Sequence, residues 1–213
     1  MLFIKLIFAN KQLLKVLPFK IPKPQPDALI LQEDLEDVFY DKLHQHQEIQ
    51  ISIILSGTGT LLVGDTVNRF NPNDIVVLGT NLPHVFKSDL SIDQKSHMLT
   101  AFFDQNTFGE GFFEIEELKT LKDFFTLSQS GFKVLDPTED LKLLFQKIRS
   151  ASKLERIVLF FDLLQKLHNS KKTRLSSFQS NKRYSNTEGK RMSTIFDYTI
   201  NHFQEEITLS LIA

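Results

Sequence analysis

Two hydrophobic periods divide the chain. From Ala28 to about Phe103 the apolar residues gather in short runs broken by turn residues. The runs Ala28–Glu33, Val38–His44, Ile49–Leu55, Thr60–Val63, Val67–Phe70, Ile75–Leu78 and Met98–Phe103 predict strands. Gly57-Thr58-Gly59, Gly64-Asp65, Asn71-Pro72-Asn73-Asp74 and Asn81-Leu82-Pro83 predict turns between them. Short strands at this spacing imply a sandwich or barrel. The runs are mixed rather than cleanly alternating, so some strands should be covered on both faces.

After Phe103 the period lengthens. Ile115, Leu118, Leu121, Phe124 and Phe125 recur at helical spacing, as do Leu141, Leu144, Phe145 and Ile148. Asp136 as N-cap, Pro137 at the first helical position and Glu139 completing a capping box predict the start of this second helix. A third helix, from about Lys153 to Asn169, is apolar around much of its girth. That predicts burial on two sides, one against the barrel and one against a second copy of the chain. Leu154, Ile157, Phe161, Leu164 and Leu167 are the candidate dimer interface, with a helical core inside one chain as the alternative.

The two ends are of different character. Met1 to Ala9 is apolar but interrupted by Lys5, lacks a clear cleavage site and is far short of a membrane span. Pro18, Pro22, Pro24 and Pro26 then favour extended chain. Residues 1–26 therefore read as an arm laid over the barrel. The stretch 170–191 is Ser/Asn-rich and basic, with Lys171, Lys172, Arg174, Lys182, Arg183, Lys190 and Arg191 against Glu188. It reads as a solvated linker, with non-specific phosphate contact as the sharper alternative. Met192, Ile195, Phe196, Thr199, Ile200 and Phe203 then mark one face of a new helix, and Thr208 can cap another that breaks off at Ala213.

Composition narrows the picture slightly. The 213 residues are 41 % hydrophobic and 24 % charged, ordinary values for a globular protein, and the net charge of −1 gives no global drive toward nucleic acid or acidic lipid. The absence of cysteine removes disulfides and thiolate metal sites and accords with a cytoplasmic location. The short N-terminal apolar run and the near-zero charge lead us to expect no membrane partner. Phe supplies 20 residues while Trp is absent.

The candidate chemistry lies between residues 44 and 84. His44 and His46 share one strand face because strand side chains alternate, and Glu48 and Gln50 share that parity. His84 comes from a later strand end. If the sheet curls with this face inward, these side chains converge in one cavity. His44, His46, Gln50 and His84 have the donors for a divalent transition ion. The alternative is a metal-free pocket in which His44, His46, Glu48, Gln50 and His84 bind a small polar effector. No cofactor is required by the pattern. His97, His168 and His202 have no partners at useful spacing.

This stretch resembles the cupin barrel. His44-x-His46, Gly57, Gly64 and His84 fit the cupin pattern. Gln50 stands where that pattern has Glu, Gly79-x-Asn81-x-x-His84 replaces Pro-x-Gly-x-x-His, and Ser88 replaces Asn. The resemblance implies a mainly β jelly-roll barrel followed by a helical dimerisation segment, α+β overall. The order barrel, helices, linker and then Ile195-Phe196-Asp197-Tyr198-Thr199-Ile200, His202-Phe203 and Ile207-Thr208-Leu209-Ser210-Leu211-Ile212-Ala213 resembles AraC/XylS-type transcriptional regulators. Residues 17–23 and 40–46 look like members of that family from Bacteroidetes-type bacteria. The implied organisation is an arm at 1–26, a sensor barrel at 27–105, a helical dimerisation segment at 106–170, a linker at 171–189 and the truncated beginning of a helix-turn-helix domain at 190–213. The implied function is non-enzymatic: sensing a small effector, forming a homodimer and binding DNA through the full C-terminal domain. A metal-dependent cupin enzyme, such as a dioxygenase or sugar isomerase, is the alternative.

Overall fold

The computed structural model describes residues 27–91 and 94–177, the strand Leu17–Pro18, and residues 194, 195 and 198. The rest of the predicted arm, the linker beyond 177, His202 and nearly all of the predicted helix-turn-helix opening lie outside the described residues.

The strands, in chain order, are β1 Leu17–Pro18, β2 Ile30–Glu36, β3 His44–Gln45, β4 Ile49–Ser56, β5 Gly59–Val63, β6 Thr66–Phe70, β7 Ile75–Leu78, β8 His84–Ser88, β9 Ser96–Phe103, β10 Phe132–Val134 and β11 Lys172–Arg174. They form a five-stranded sheet in the order β1-β3-β8-β5-β6 and a six-stranded sheet in the order β11-β10-β7-β4-β9-β2. Every pairing is antiparallel except β1 on β3. Packed face to face, the sheets make a cupin-like jelly roll.

The mixed hydrophobic runs follow from the position of β4 at the middle of the larger sheet. One face of that sheet, through Ile54, Val76, Leu78 and Met98, meets Leu61, Val63, Phe70 and Phe86 of the smaller sheet in the barrel interior. The other face, through Ile49, Ile51, Ile53, Val77, Leu99 and Phe103, is covered by helices. Both parities of β4 are therefore buried. The turn into β5 needs glycine: Gly57 has φ +88°, and a Cβ there would lie 2.9 Å from Ser96 Oγ.

The helical layer consists of two 3-10 turns, Phe112–Glu114 and Glu116–Leu121, then α1 Lys122–Ser128, α2 Glu139–Ser150 and α3 Lys153–Asn169. Phe160 is fully buried, with its ring edge-on to Phe103 at 4.8 Å between centroids. Phe108, Phe113, Phe125 and Phe161 continue that cluster, which accounts for part of the phenylalanine excess.

Several expectations need correction. Val38–His44 is not a strand: the chain is irregular until His44, where β3 pairs with β8. Strand β8 was hidden in sequence behind the turn signal Asn81-Leu82-Pro83. Asp136 does not cap α2. It takes φ +51° in the turn after β10, and Thr138 caps instead, its side chain accepting from Leu141 N–H at 3.4 Å. Glu139 is then too early to close a capping box. The box belongs to α3, where Ser152 N–H donates to the Glu155 carboxylate at 3.4 Å.

Of the interface candidates, Leu164 and Leu167 are fully buried in the chain's own core. Ile157 and Phe161 are half-buried, and Leu154 is 77 % exposed. The far face of α3 is thus narrower than its composition implied, because the sheet side of the helix accounts for Phe160, Leu163, Leu164 and Leu167.

Residues 172–174, at the start of the predicted linker, pair with β10 as β11. Leu175 beyond them is buried in the barrel interior. Its carbonyl accepts from Asn68 Nδ2 at 3.2 Å and from Thr66 Oγ1, and its N–H donates to Gly131 O at 3.0 Å. Ser176 Oγ and Ser177 N–H donate to Asp65 Oδ1 at 2.6 and 3.1 Å. These bonds hold the Asp65 carboxyl below its ordinary range.

Candidate functional site

Strand pairing brings the histidines together. His44 and His84 are directly opposed across β3 and β8, and His46 follows where β3 ends. The ring centroids of His44 and His84 are 4.3 Å apart, and those of His46 and His84 are 5.0 Å apart. One nitrogen from each ring lies within 4.8 Å of the other two. All three side chains are buried.

Backbone carbonyls set the tautomers. His44 Nδ1 meets Lys42 O at 2.8 Å, His46 Nδ1 meets Glu48 O at 2.9 Å, and His84 Nδ1 meets Leu82 O at 2.8 Å. A carbonyl oxygen only accepts, so each Nδ1 carries the proton and donates it. Each Nε2 is therefore left with its lone pair. His84 Nε2 is buried with no hydrogen-bond partner. Gln50 Oε1 stands 3.1 Å from His46 Nε2. With His46 in this tautomer, that contact sets lone pair against lone pair unless the amide is turned or a cation joins the two.

This donor set fits a divalent transition ion. Neutral imidazoles held by outer hydrogen bonds are the usual ligand form, an amide oxygen is an acceptable further donor, and a buried imidazole nitrogen lacking any donor is costly without one. His44, His46 and His84 would hold the ion, with Gln50 beside them. Glu48 is placed differently: its carboxylate lies 4.0 Å from Nδ1 of His46, on the protonated side of that ring.

Gln50 opens a second feature. Its Nε2 donates to Ser52 Oγ at 2.8 Å, and Ser52 Oγ is 2.8 Å from Thr100 Oγ1. Ser52 and Thr100 face each other across β4 and β9. This polar chain crosses an otherwise apolar interior. It was missed from sequence, although two hydroxyl residues at the inward parity of apolar strands were a usable signal. Asp34 and Tyr40 were also missed. They join His44, Gln50, His84 and Thr100 around a cleft of about 60 Å³. Burial raises the Asp34 carboxyl above its ordinary range, opposed by the hydrogen bond from Gln32. His97 does have a partner, Glu33 Oε1 at 2.8 Å, and lies outside the cluster.

Burial lowers the basicity of all three site histidines. His44 falls from 6.5 to about 4, chiefly by burial, with the Lys42 carbonyl opposing and His46 adding to the fall. His46 is lowered by burial against three favourable contacts. His84 is lowered well below 6.5 by burial and then by its two neighbours. Between pH 6.5 and about 4 the unfolded chain thus binds more protons than the folded one, so stability rises with pH across that window. The metal-free protein is expected to lose stability progressively below pH 6.5, by about 3 kcal/mol from His44 alone once pH reaches 4. Urea titrations at pH 7 and pH 4.5 check this. Equal midpoints would show that the histidines are not buried neutral.

Among the described residues, no helix is long and apolar enough to cross a membrane. No curated protein matches the chain in sequence. Among solved structures, a cupin barrel protein of Salinispora arenicola is similar at 16 % identity and TM-score 0.32, over 44 % of this chain and 75 % of that one. An oxalate decarboxylase of Lactobacillus farciminis is similar at 19 % identity and TM-score 0.30, over 36 % of this chain, and this chain covers 23 % of that enzyme's length. ToxT of Vibrio cholerae is similar at 13 % identity and TM-score 0.43, over 87 % of this chain and 70 % of that one. Residues 26–100, which hold the whole histidine cluster, match the family described as the AraC-like ligand binding domain.

Proposed function

We propose that the chain is the effector-sensing region of an AraC-type transcriptional regulator, with its effector site at the histidine cluster. One observation carries this reading: the buried polar end of the barrel lies inside the segment matched by the AraC-like ligand binding domain. The site takes a divalent transition ion on His44, His46 and His84, alone or with one small polar molecule beside it. A cleft of about 60 Å³ suits that better than a sugar, since sites for drug-sized ligands occupy ~300 Å³ or more.

The protein acts as a homodimer through the exposed side of α3, where Leu154 and Val158 are 77 % and 63 % exposed. DNA is bound through a domain that begins near residue 190. The effector alters output only by binding one arrangement of the helices more tightly than the other.

A thermal-shift screen tests the reading. Zn, Ni, Mn and Fe salts, then small acids and sugars, are added to the wild type and to the His44→Ala/His46→Ala variant. A rise in Tm confined to the wild type is expected. No rise with any of them would remove the effector site from the barrel.

A metal-dependent enzyme is the second reading, favoured by Asp34 as an acid–base group lining the same cleft. Asp34→Asn would abolish turnover in an enzyme while sparing the ligand-induced thermal shift of a sensor.

A further inference from the structure

A larger cleft lies on the outside of the barrel, between β2 and the helical layer. It has a volume of about 320 Å³, within the range of small-molecule sites. Its floor is apolar: Leu29, Leu99, Ala101, Phe145 and Ile148 line it and are all buried.

The charges around it are unevenly matched. Arg149 pairs with Glu33 at 2.7 Å, and Lys153 pairs with Asp27 at 2.9 Å. Arg156 also lines the cleft, but no carboxylate among the described residues pairs with it. One guanidinium nitrogen, Nη2, donates to Ala151 O at 3.2 Å, and Nε is buried with no partner. A guanidinium has five donors in a fixed fork and keeps its charge at any pH the protein meets. A buried donor left unmade costs free energy, and a carboxylate is the partner that matches the fork.

The geometry points to a second binding site here, taking an amphipathic monocarboxylate. The carboxylate seats on Arg156, and a hydrocarbon or aryl tail covers Leu29, Leu99, Phe145 and Ile148. Anions without a tail leave the apolar floor wet, and neutral lipids leave Arg156 unpaired. The site shares only Gln32 and Thr100 with the histidine cleft, so it stands or falls independently of the effector reading.

The test is calorimetric titration of the full chain with octanoate and, separately, with octanol. Octanoate is expected to bind, and octanol to bind at least about tenfold more weakly, the cost of one charge-assisted contact. Arg156→Met should weaken octanoate by a similar factor with its far-ultraviolet circular dichroism and Tm unchanged, and Arg156→Lys should recover part of the loss. His44→Ala/His46→Ala should bind octanoate as the wild type does. The proposal is overturned if octanoate gives no binding, if octanol binds equally well, or if the histidine variant loses binding while Arg156→Met keeps it. Should Arg156→Met fail to fold, the octanoate–octanol contrast on the wild type decides alone.

Discussion

Leu164→Glu is expected to abolish cooperative folding, while Leu154→Glu/Val158→Glu leaves a stable chain that sediments as a monomer. All three residues belong to one apolar helix, α3, and composition alone does not separate them. Burial does. Leu164 is fully buried among Phe160, Leu163 and Leu167 against the sheet. Truncating such a leucine to alanine costs about 2–5 kcal/mol, and a carboxylate adds the cost of a charge in an apolar layer. A domain stable by roughly 5–15 kcal/mol does not survive that sum with a clean transition. Leu154 and Val158 are mostly exposed, and polar changes at such positions stay within about 0.5 kcal/mol unless a partner covers them. Thermal melts and sedimentation velocity together read both outcomes. A wild-type melt for Leu164→Glu would mean that α3 is not packed on the barrel. A persistent dimer after the double exchange would move the proposed interface off α3.

The dialysed protein, purified without a metal-affinity column, is expected to carry about one divalent transition ion per chain, and His84→Ala to carry essentially none. His84 is the sharpest position for this test. It is fully buried, its Nδ1 is committed to Leu82 O at 2.8 Å, and its Nε2 has no other partner. Removing one of three imidazoles should weaken retention by a factor of about 100 or more, beyond the 10–100-fold typical of losing an outer hydrogen bond. Gln50→Glu should tighten binding by supplying a charged oxygen beside His46. Elemental analysis by mass spectrometry measures both. An empty wild type, or a fully loaded His84→Ala, would leave the cluster as a metal-free binding pocket.

The parts of the fold legible in sequence were those with strong, local periodicity. The run Ile49–Leu55 and the helix Lys153–Asn169 emerged close to their observed bounds because each carries its own pattern. Strands β3 and β8 did not emerge: β3 is two residues long and takes its place only by pairing His44 with His84, and β8, which lies along β5, follows directly on the turn signal Asn81-Leu82-Pro83. Strand β11 was invisible for the same reason, as Lys172–Arg174 owes its conformation to β10. At the site, the histidines were legible from their spacing and parity. The Gln50–Ser52–Thr100 chain was not, because Ser52 and Thr100 are 48 residues apart and meet through strand register. Arg156 gave no sequence signal, being one basic residue in a helix; only the packing of β2 against α2 and α3 gives it a cleft.

The seating of Leu175 fixes where the rest of the chain departs. Residues 172–174 zip onto β10, Leu175 enters the barrel and Ser176 and Ser177 bond to Asp65, so Ser177 lies at the β5–β6 turn rather than at the end of α3. In polymer terms, seven residues, 171–177, are subtracted from any downstream tether, and its origin is pinned to a rigid body. The effective concentration of a tethered module falls roughly as the −3/2 power of tether length once the span is exceeded. Freeing this segment would undo the β10–β11 pairing and uncover Leu175, so any length gained by a tether comes at the expense of the barrel's own core.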